Sequence, residues 1–170
     1  MIAVIYGSST LNTEYSAQRI QAAFGDGSAD LHNVKHLEVD LLRRRNNLVL
    51  VSSTWGTGDL QDDWELFYPH LDEVDFHGKT VGLVGLGDQE NYPDTFCDGI
   101  SLLYDKVMER GGRIVGSTSV EGYTYTRSRA VRNGRFVGLI LDEDSQADQS
   151  DDRIRQWVQR YLRETEAGTA

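Results

Sequence analysis

Three short segments of this sequence gather the side chains best suited to holding a ligand. The first is Gly7-Ser8-Ser9-Thr10-Leu11-Asn12-Thr13, with four hydroxyls, one amide and no Lys or Arg. A helical pattern follows it directly. Backbone N–H groups at a helix N-terminus, joined by neutral side-chain donors, suit an anion such as a phosphate. The triphosphate pattern G-x-x-x-x-G-K-[ST] is not met. The competing reading is a hydroxyl-rich turn that only caps its helix. The second segment, Ser52-Ser53-Thr54-Trp55-Gly56-Thr57-Gly58-Asp59, sets a tryptophan between a hydroxyl and two glycines. The third, Gly87-Asp88-Gln89-Glu90-Asn91-Tyr92, ends on a tyrosine. Either aromatic alone reads as packing or surface. Together, beside a hydroxyl-lined anion site, they suit a planar ring attached to a phosphate.

The surrounding elements must bring these segments together. Apolar runs at residues 2–6, 48–51 and 80–86 read as buried strands, with a weaker one at 29–34 and another beginning at 113–116. Helical spacing covers 12–24, where Tyr15, Ile20, Ala23 and Phe24 are expected to share the packed face. A short helix is expected at 37–43. Another is expected at 60–71, with Trp64, Phe67 and Leu71 on one side. A long amphipathic helix at 96–109 takes in Cys97, and 150–163 closes the chain. Continuous apolar strands alternating with helices give parallel βαβ units and a sheet covered on both faces. Each of the three segments then follows a strand, at the carboxyl ends where open parallel sheets bind ligands. Residues 117–133 break the pattern. They are polar, carry Tyr123, Tyr125, Arg127, Arg129 and Arg132, and are too long for an ordinary connection. Strand character resumes at 136–141, so one edge strand split by an inserted loop is the simplest reading.

Composition narrows the function. The 170 residues suit one domain spanning 1–170. Seventeen Lys and Arg against 27 Asp and Glu leave a net charge of −10, which argues against nucleic acid and against an anionic membrane surface. A hydrophobic fraction of 39% supports a packed core rather than disorder. The one cysteine excludes an internal disulfide and a thiolate metal cluster, and His32, His36, His70 and His77 form no convincing ligand set, so no metal is expected. With no apolar run near the roughly 20 residues of a membrane span and no basic n-region at the start, a cytoplasmic protein is expected.

With these residues in order, the sequence resembles a flavodoxin of the long-chain class. The family's phosphate loop, [TS]-x-T-G-x-T, resembles Ser8-Ser9-Thr10-Leu11-Asn12-Thr13, with Leu11 where Gly is usual. The family's Thr-Trp segment resembles Thr54-Trp55-Gly56-Thr57-Gly58, and its G-x-G-D-Q…Y segment resembles Gly85 to Tyr92. Leu141-Asp142-Glu143-Asp144 and the helix bearing Trp157 are similar to the family's C-terminal part. The Ser-Ser-Thr loop resembles that of a bacterial subgroup. The resemblance implies a flavodoxin-like three-layer α/β sandwich: a five-stranded parallel sheet in the order 2-1-3-4-5, for which flavodoxin itself is the standard example of a ligand at the switch point. It implies FMN as cofactor. Ser8, Ser9, Thr10, Asn12 and Thr13 would hold the phosphate, Trp55 and Tyr92 would cover the two ring faces, and Thr54 and Asp144 would reach the ribityl chain. Gly56, Thr57, Gly58, Gly87 and Asp88 would line the ring edge.

The function so implied is low-potential electron transfer, one electron at a time over a semiquinone/hydroquinone couple, without catalytic residues. Gly56 would let its peptide turn toward the ring. The expected partners are basic-surfaced redox proteins, a flavodoxin/ferredoxin NADP reductase-like donor and acceptor enzymes, with the chain a monomer. The alternative is an FMN-dependent NAD(P)H or quinone reductase on the same fold. A phospho-receiver module is rejected, because the first loop lacks the acidic residues it needs and the loop after the third strand lacks its Asp.

Overall fold

Side chains alternate across a strand, so a strand buried on both faces feeds two cores at once. The computed structural model, which describes residues 1–169, is built on that principle. The chain runs β1 (Ile2–Gly7), α1 (Leu11–Ala23), β2 (Ala29–Asn33), α2 (Val39–Arg44), β3 (Asn47–Trp55), β4 (Asp59–Leu60), α3 (Asp62–Phe67), β5 (Thr80–Leu86) and α4 (Gly99–Glu109). It continues through β6 (Arg113–Val115), β7 (Thr118–Ser119), β8 (Val131–Arg132), β9 (Arg135–Phe136), β10 (Leu139–Leu141) and α5 (Ser150–Thr169).

Val4, Val49 and Val84 pack with Ile20 of α1 and with Trp157 and Tyr161 of α5. Ile5, Leu50 and Leu83 pack on the opposite face with Leu42 of α2, Trp64 of α3 and Leu103 of α4. The result is three layers, helices on either side of a parallel sheet whose order is β2-β1-β3-β5-β10. Two buried rings fasten the α5 layer to the sheet side. The Tyr161 hydroxyl donates to Leu48 O at 3.2 Å, and the Trp157 indole donates to Gly116 O at 2.8 Å.

The edge strand is split, as expected. β6 pairs with the first half of β5, Thr80 to Gly82, and β10 pairs with the second half, Val84 to Leu86. Between them residues 116–138 leave the sheet and form a small antiparallel sheet of their own, β7-β9-β8. Here the structure differs from the expectation that 136–141 is continuous strand. Arg135 and Phe136 pair with β7 and β8, and the edge strand resumes only at Leu139.

Three further expectations need correction. The packed face of α1 is Thr13, Ser16, Ala17 and Ile20, with Phe24 just beyond. That is the true 3.6-residue stripe; Tyr15 lies off it, exposed, with the Arg19 guanidinium over its ring, and Ala23 is exposed too. The helix expected from residue 96 starts at Gly99, because Cys97 has φ +55, a left-handed backbone that ends a right-handed helix. The helix expected over 60–71 is α only to Phe67 and continues as a 3₁₀ turn, Tyr68–Glu73, around Pro69, whose missing N–H interrupts the α ladder. Trp64, Phe67 and Leu71 are nevertheless all buried. Among the described residues no helix is long and apolar enough to cross a membrane.

Candidate functional site

Because β1, β3, β5 and β10 run parallel, the loops after them meet at one end of the sheet. Strand order changes direction there, with β2 and β3 on opposite sides of β1. A cavity of about 410 Å³ opens at that end. It is lined by Thr10, Asn12 and Thr13 from the first loop and α1, Thr54, Trp55 and Gly56 from the end of β3, Gly87, Asp88 and Tyr92 after β5, and Asp144 after β10. Ser8, Ser9, Thr57 and Gly58, also expected at the site, are not among its lining residues. The Ser8 hydroxyl turns back to Thr10 O, and the Ser9 hydroxyl accepts from the Gln61 side-chain amide at 2.9 Å. Thr57 is exposed on the turn, and Gly58 is packed beneath it.

The first loop does not cap its helix through a side chain. Thr10 stands at the N-cap of α1 in extended conformation, yet no side-chain hydrogen bond caps the helix. The first-turn N–H groups lack the usual Ser/Thr partner and adjoin the cavity. Leu11, in the position where the resembled motif has Gly, is 81% exposed and is not among the cavity's lining residues. No Lys or Arg lines the cavity.

The aromatics are held but not buried. Trp55 is 42% exposed, its indole N–H donating to the Ser53 hydroxyl at 2.7 Å, and Tyr92 is 61% exposed. Two large rings left half in water at one cavity mouth are unusual for core residues. Gly56 takes φ +56 between Trp55 and the β4 strand that pairs back on Thr54 and Trp55. A side chain there would be strained, and its Cβ would stand 2.8 Å from Asp59 Oδ2. Gly56→Val is therefore expected to destabilise the ligand-free protein by about 1–3 kcal/mol, read as a lower urea midpoint.

Asp88 acts within its own loop. Its carboxylate accepts from the N–H groups of Glu90 and Asn91 at 3.1 and 3.0 Å and from the Asn91 amide at 2.6 Å. This is a turn-stabilising role. Carboxylates dominate the cavity's charge. Glu143 is paired with Arg19 at 3.0 Å. Asp144, whose pKa is raised from its ordinary value by burial and by repulsion from Asp88, Asp142 and Glu143, has no ion-pair partner among the described residues.

Sequence reasoning missed Ser53, Leu86, Thr95, Phe96, Cys97 and Glu143, all of which line the cavity. Ser53 and Leu86 are strand-end residues one step before expected site residues, and Glu143 precedes Asp144. Strand-end position alone could have found these three. Phe96 and Cys97 were hidden by the helix expected over 96–109, and Thr95 lies just before it with no signal of its own. Burial raises the Cys97 thiol well above its ordinary pKa, with Asp142 and Asp98 adding to the effect, so it is a packed thiol rather than a nucleophile.

Fold and cavity together define a parallel α/β protein with an open cavity at the switch point of its sheet. The family model for flavodoxin matches residues 4–157. A flavodoxin from Nostoc sp. is 47% identical over 157 residues, covering 92% of each chain, and one from Helicobacter pylori is 42% identical over 159 residues, covering 94% of each. Among solved structures, Fusobacterium nucleatum flavodoxin bound to flavin mononucleotide superposes with a TM-score of 0.92 at 36% identity, covering 96% of this chain and 97% of that one. The chain belongs to the flavodoxin family.

Proposed function

We propose that this protein is a low-potential electron carrier that holds FMN non-covalently in the strand-end cavity and turns over no substrate of its own. The observation that carries the reading is the pairing of two half-exposed rings, Trp55 and Tyr92, with an uncapped helix N-terminus on the same cavity. The fit is chemical. Thr10, Asn12 and Thr13, with the first N–H groups of α1, offer neutral donors to a phosphate. Ser8 and Ser9 would contribute through the backbone of that loop. Trp55 and Tyr92 offer apolar faces to a planar ring. Thr54 and Asp144 line the same cavity and would reach the ribityl chain. Gly56, Thr57, Gly58, Gly87 and Asp88 would form the loops at the ring's edge.

FMN, when bound, supplies reversible one-electron transfer. Asp88, Glu143 and Asp144 make added negative charge in the cavity costly, which supports a low potential. Trp55 and Tyr92 would keep water from the ring faces while their exposure leaves an edge open to a partner. The split edge strand supports the long-chain class, and the Ser-Ser-Thr loop with Leu11 supports a variant phosphate site. We further read residues 1–170 as one domain, monomeric and cytoplasmic, binding neither nucleic acid nor membrane nor metal. Its partners would be basic-surfaced redox proteins: a flavodoxin/ferredoxin NADP reductase-like donor and acceptor enzymes. The reductase alternative is not favoured by the flavodoxin relatives.

A visible absorption spectrum of the purified protein tests the reading. A flavin spectrum, or its recovery at one FMN per chain after stripping, is expected; a colourless protein that cannot be reconstituted overturns it. Steady NAD(P)H oxidation by the protein alone would instead favour the reductase. The net charge of −10 gives a second prediction. Electron-transfer rates with a basic reductase should fall as ionic strength rises through about 0.1 M, where the Debye length shrinks to roughly 10 Å.

A further inference from the structure

Residues 116–138 contribute nothing to the cavity's lining, yet they hold one of its walls from behind. The N–H groups of Thr126 and Arg127 both donate to Pro93 O, at 2.8 and 2.9 Å, and the Phe96 N–H donates to Arg127 O at 3.2 Å. The Ser128 hydroxyl donates to Phe96 O, and the Phe96 ring stacks on Tyr125 with centroids 5.5 Å apart. The chain then passes through the left-handed Cys97 to Asp98.

The Asp98 side chain is 4% exposed. It stands at the N-cap of α4 but makes no capping hydrogen bond, so helix capping does not account for it. Its Oδ1 accepts from the Arg129 N–H at 2.7 Å. Its Oδ2 faces the turn after Trp55, 2.9 Å from where a Cβ on Gly58 would lie, and Gly58, at φ +96, has none. The Arg129 guanidinium is 72% exposed and only brushes the carboxylate, at 3.9 Å. The next N–H along, from Gly99, donates to the Thr54 hydroxyl at 2.9 Å. One buried carboxylate thus accepts a hydrogen bond from the excursion and lies close against the turn that carries Trp55 and Gly56.

We propose that Asp98 is a positioning residue for the cavity: it joins the excursion at Arg129 to the turn at Gly58, so the excursion sets where Trp55 stands. The proposal deepens the FMN reading and rests on it for its affinity measurement, though not for its fluorescence measurement.

The experiment compares Asp98→Ala and Asp98→Asn with the parent chain. Asparagine keeps the Oδ1 acceptor and the shape; alanine removes both. Acrylamide quenching of tryptophan fluorescence in the FMN-free protein reports mainly on Trp55, since Trp64 is 0% and Trp157 is 2% exposed. Asp98→Ala should raise that quenching about twofold, as a turn released from its brace opens more often. It should also weaken FMN binding about tenfold, or about 1.4 kcal/mol, with Asp98→Asn within about twofold of the parent in both measurements. If the alanine variant does not accumulate, Asp98→Ser is read in its place. Parent-like quenching and FMN affinity in the truncated variant overturn the proposal, as does an asparagine variant that loses as much as the alanine one. A parent chain that binds no FMN overturns the functional reading instead, and the quenching comparison then decides Asp98 alone.

Discussion

Replacing Trp55 with Ala should weaken FMN binding by about 10- to 100-fold while leaving the ligand-free fold nearly as stable as before. The two halves of this expectation come from one fact, that Trp55 is 42% exposed. A ring half in water loses little burial when truncated, and its one hydrogen bond is to the Ser53 hydroxyl, which water can replace. The stability loss should therefore stay below about 1 kcal/mol. What is removed is a face on which a planar ring stacks, and aromatic–ring stacking is worth about 1–3 kcal/mol, the source of the 10- to 100-fold range. Trp64 supplies the contrast. It is fully buried, its indole donating to Val51 O at 2.8 Å, and Trp64→Ala should cost about 3–5 kcal/mol in stability. Fluorescence titration with FMN and urea unfolding separate the two effects. An unchanged FMN affinity in Trp55→Ala would remove Trp55 from the site.

The contrast also explains what the sequence made legible. The strands were readable because a doubly covered sheet needs uninterrupted apolar runs, and Val4, Ile5, Val49 and Leu50 satisfy both cores at once. Topology then fixed which loops meet, so ten of the fourteen expected site residues line one cavity. The exposure of each tryptophan was not legible. Trp55, Trp64 and Trp157 are chemically alike, yet the first, at the end of β3 before the Gly56 turn, is 42% exposed and the other two are buried.

Local backbone decisions were the other blind spot. A left-handed Cys97 has no residue signature, since the conformation is imposed by the segments packed on either side, and it shortened α4 and hid Phe96 from the site. The excursion defeated the strand reading for a similar reason. Arg135 and Phe136 have strand character and do form a strand, but they pair within the small sheet. Periodicity reports that a residue is extended, not which partner it takes. Ser8 and Ser9 show the same limit in side chains. Their hydroxyls fit a phosphate, but the fold engages both within the protein.

A stability effect as large as that of Trp64→Ala is expected at Asp142, a residue outside the cavity's lining. It is fully buried, and both its oxygens are engaged. Oδ2 accepts from the Gln89 N–H at 3.0 Å, the Gln89 amide at 2.8 Å and the Ser145 hydroxyl at 2.6 Å; Oδ1 accepts from the Ser145 N–H at 3.0 Å. Burial alone would raise its pKa, but these bonds outweigh it and hold the carboxyl below its ordinary value. Asp142→Ala leaves four donors without their acceptor and should cost about 3–5 kcal/mol, or roughly 10 °C in Tm for a chain of this size. Asp142→Asn can present its carbonyl to the three donors at Oδ2 and turns its NH₂ only toward the Ser145 N–H, so about 1–3 kcal/mol is expected. The sign of the pH dependence follows from the depressed pKa. The contribution is present above the unfolded carboxylate range and is lost as pH falls through the folded value. Asp144, shifted upward, runs the other way, because protonation relieves a burial cost and a repulsion that the fold imposes. Subtracting the Asp142→Ala stability curve from the parent's should therefore isolate a loss confined to acid pH. The effect should also reach the cavity. The Gln89 side chain bridges Asp142 to the Thr124 N–H, so the loop bearing Asp88 and Tyr92 is anchored to β10 and the excursion through this carboxylate. Asp142→Ala protein that stays folded at neutral pH should bind FMN more weakly than the parent, whereas unchanged affinity would show that the loop holds its shape without that anchor.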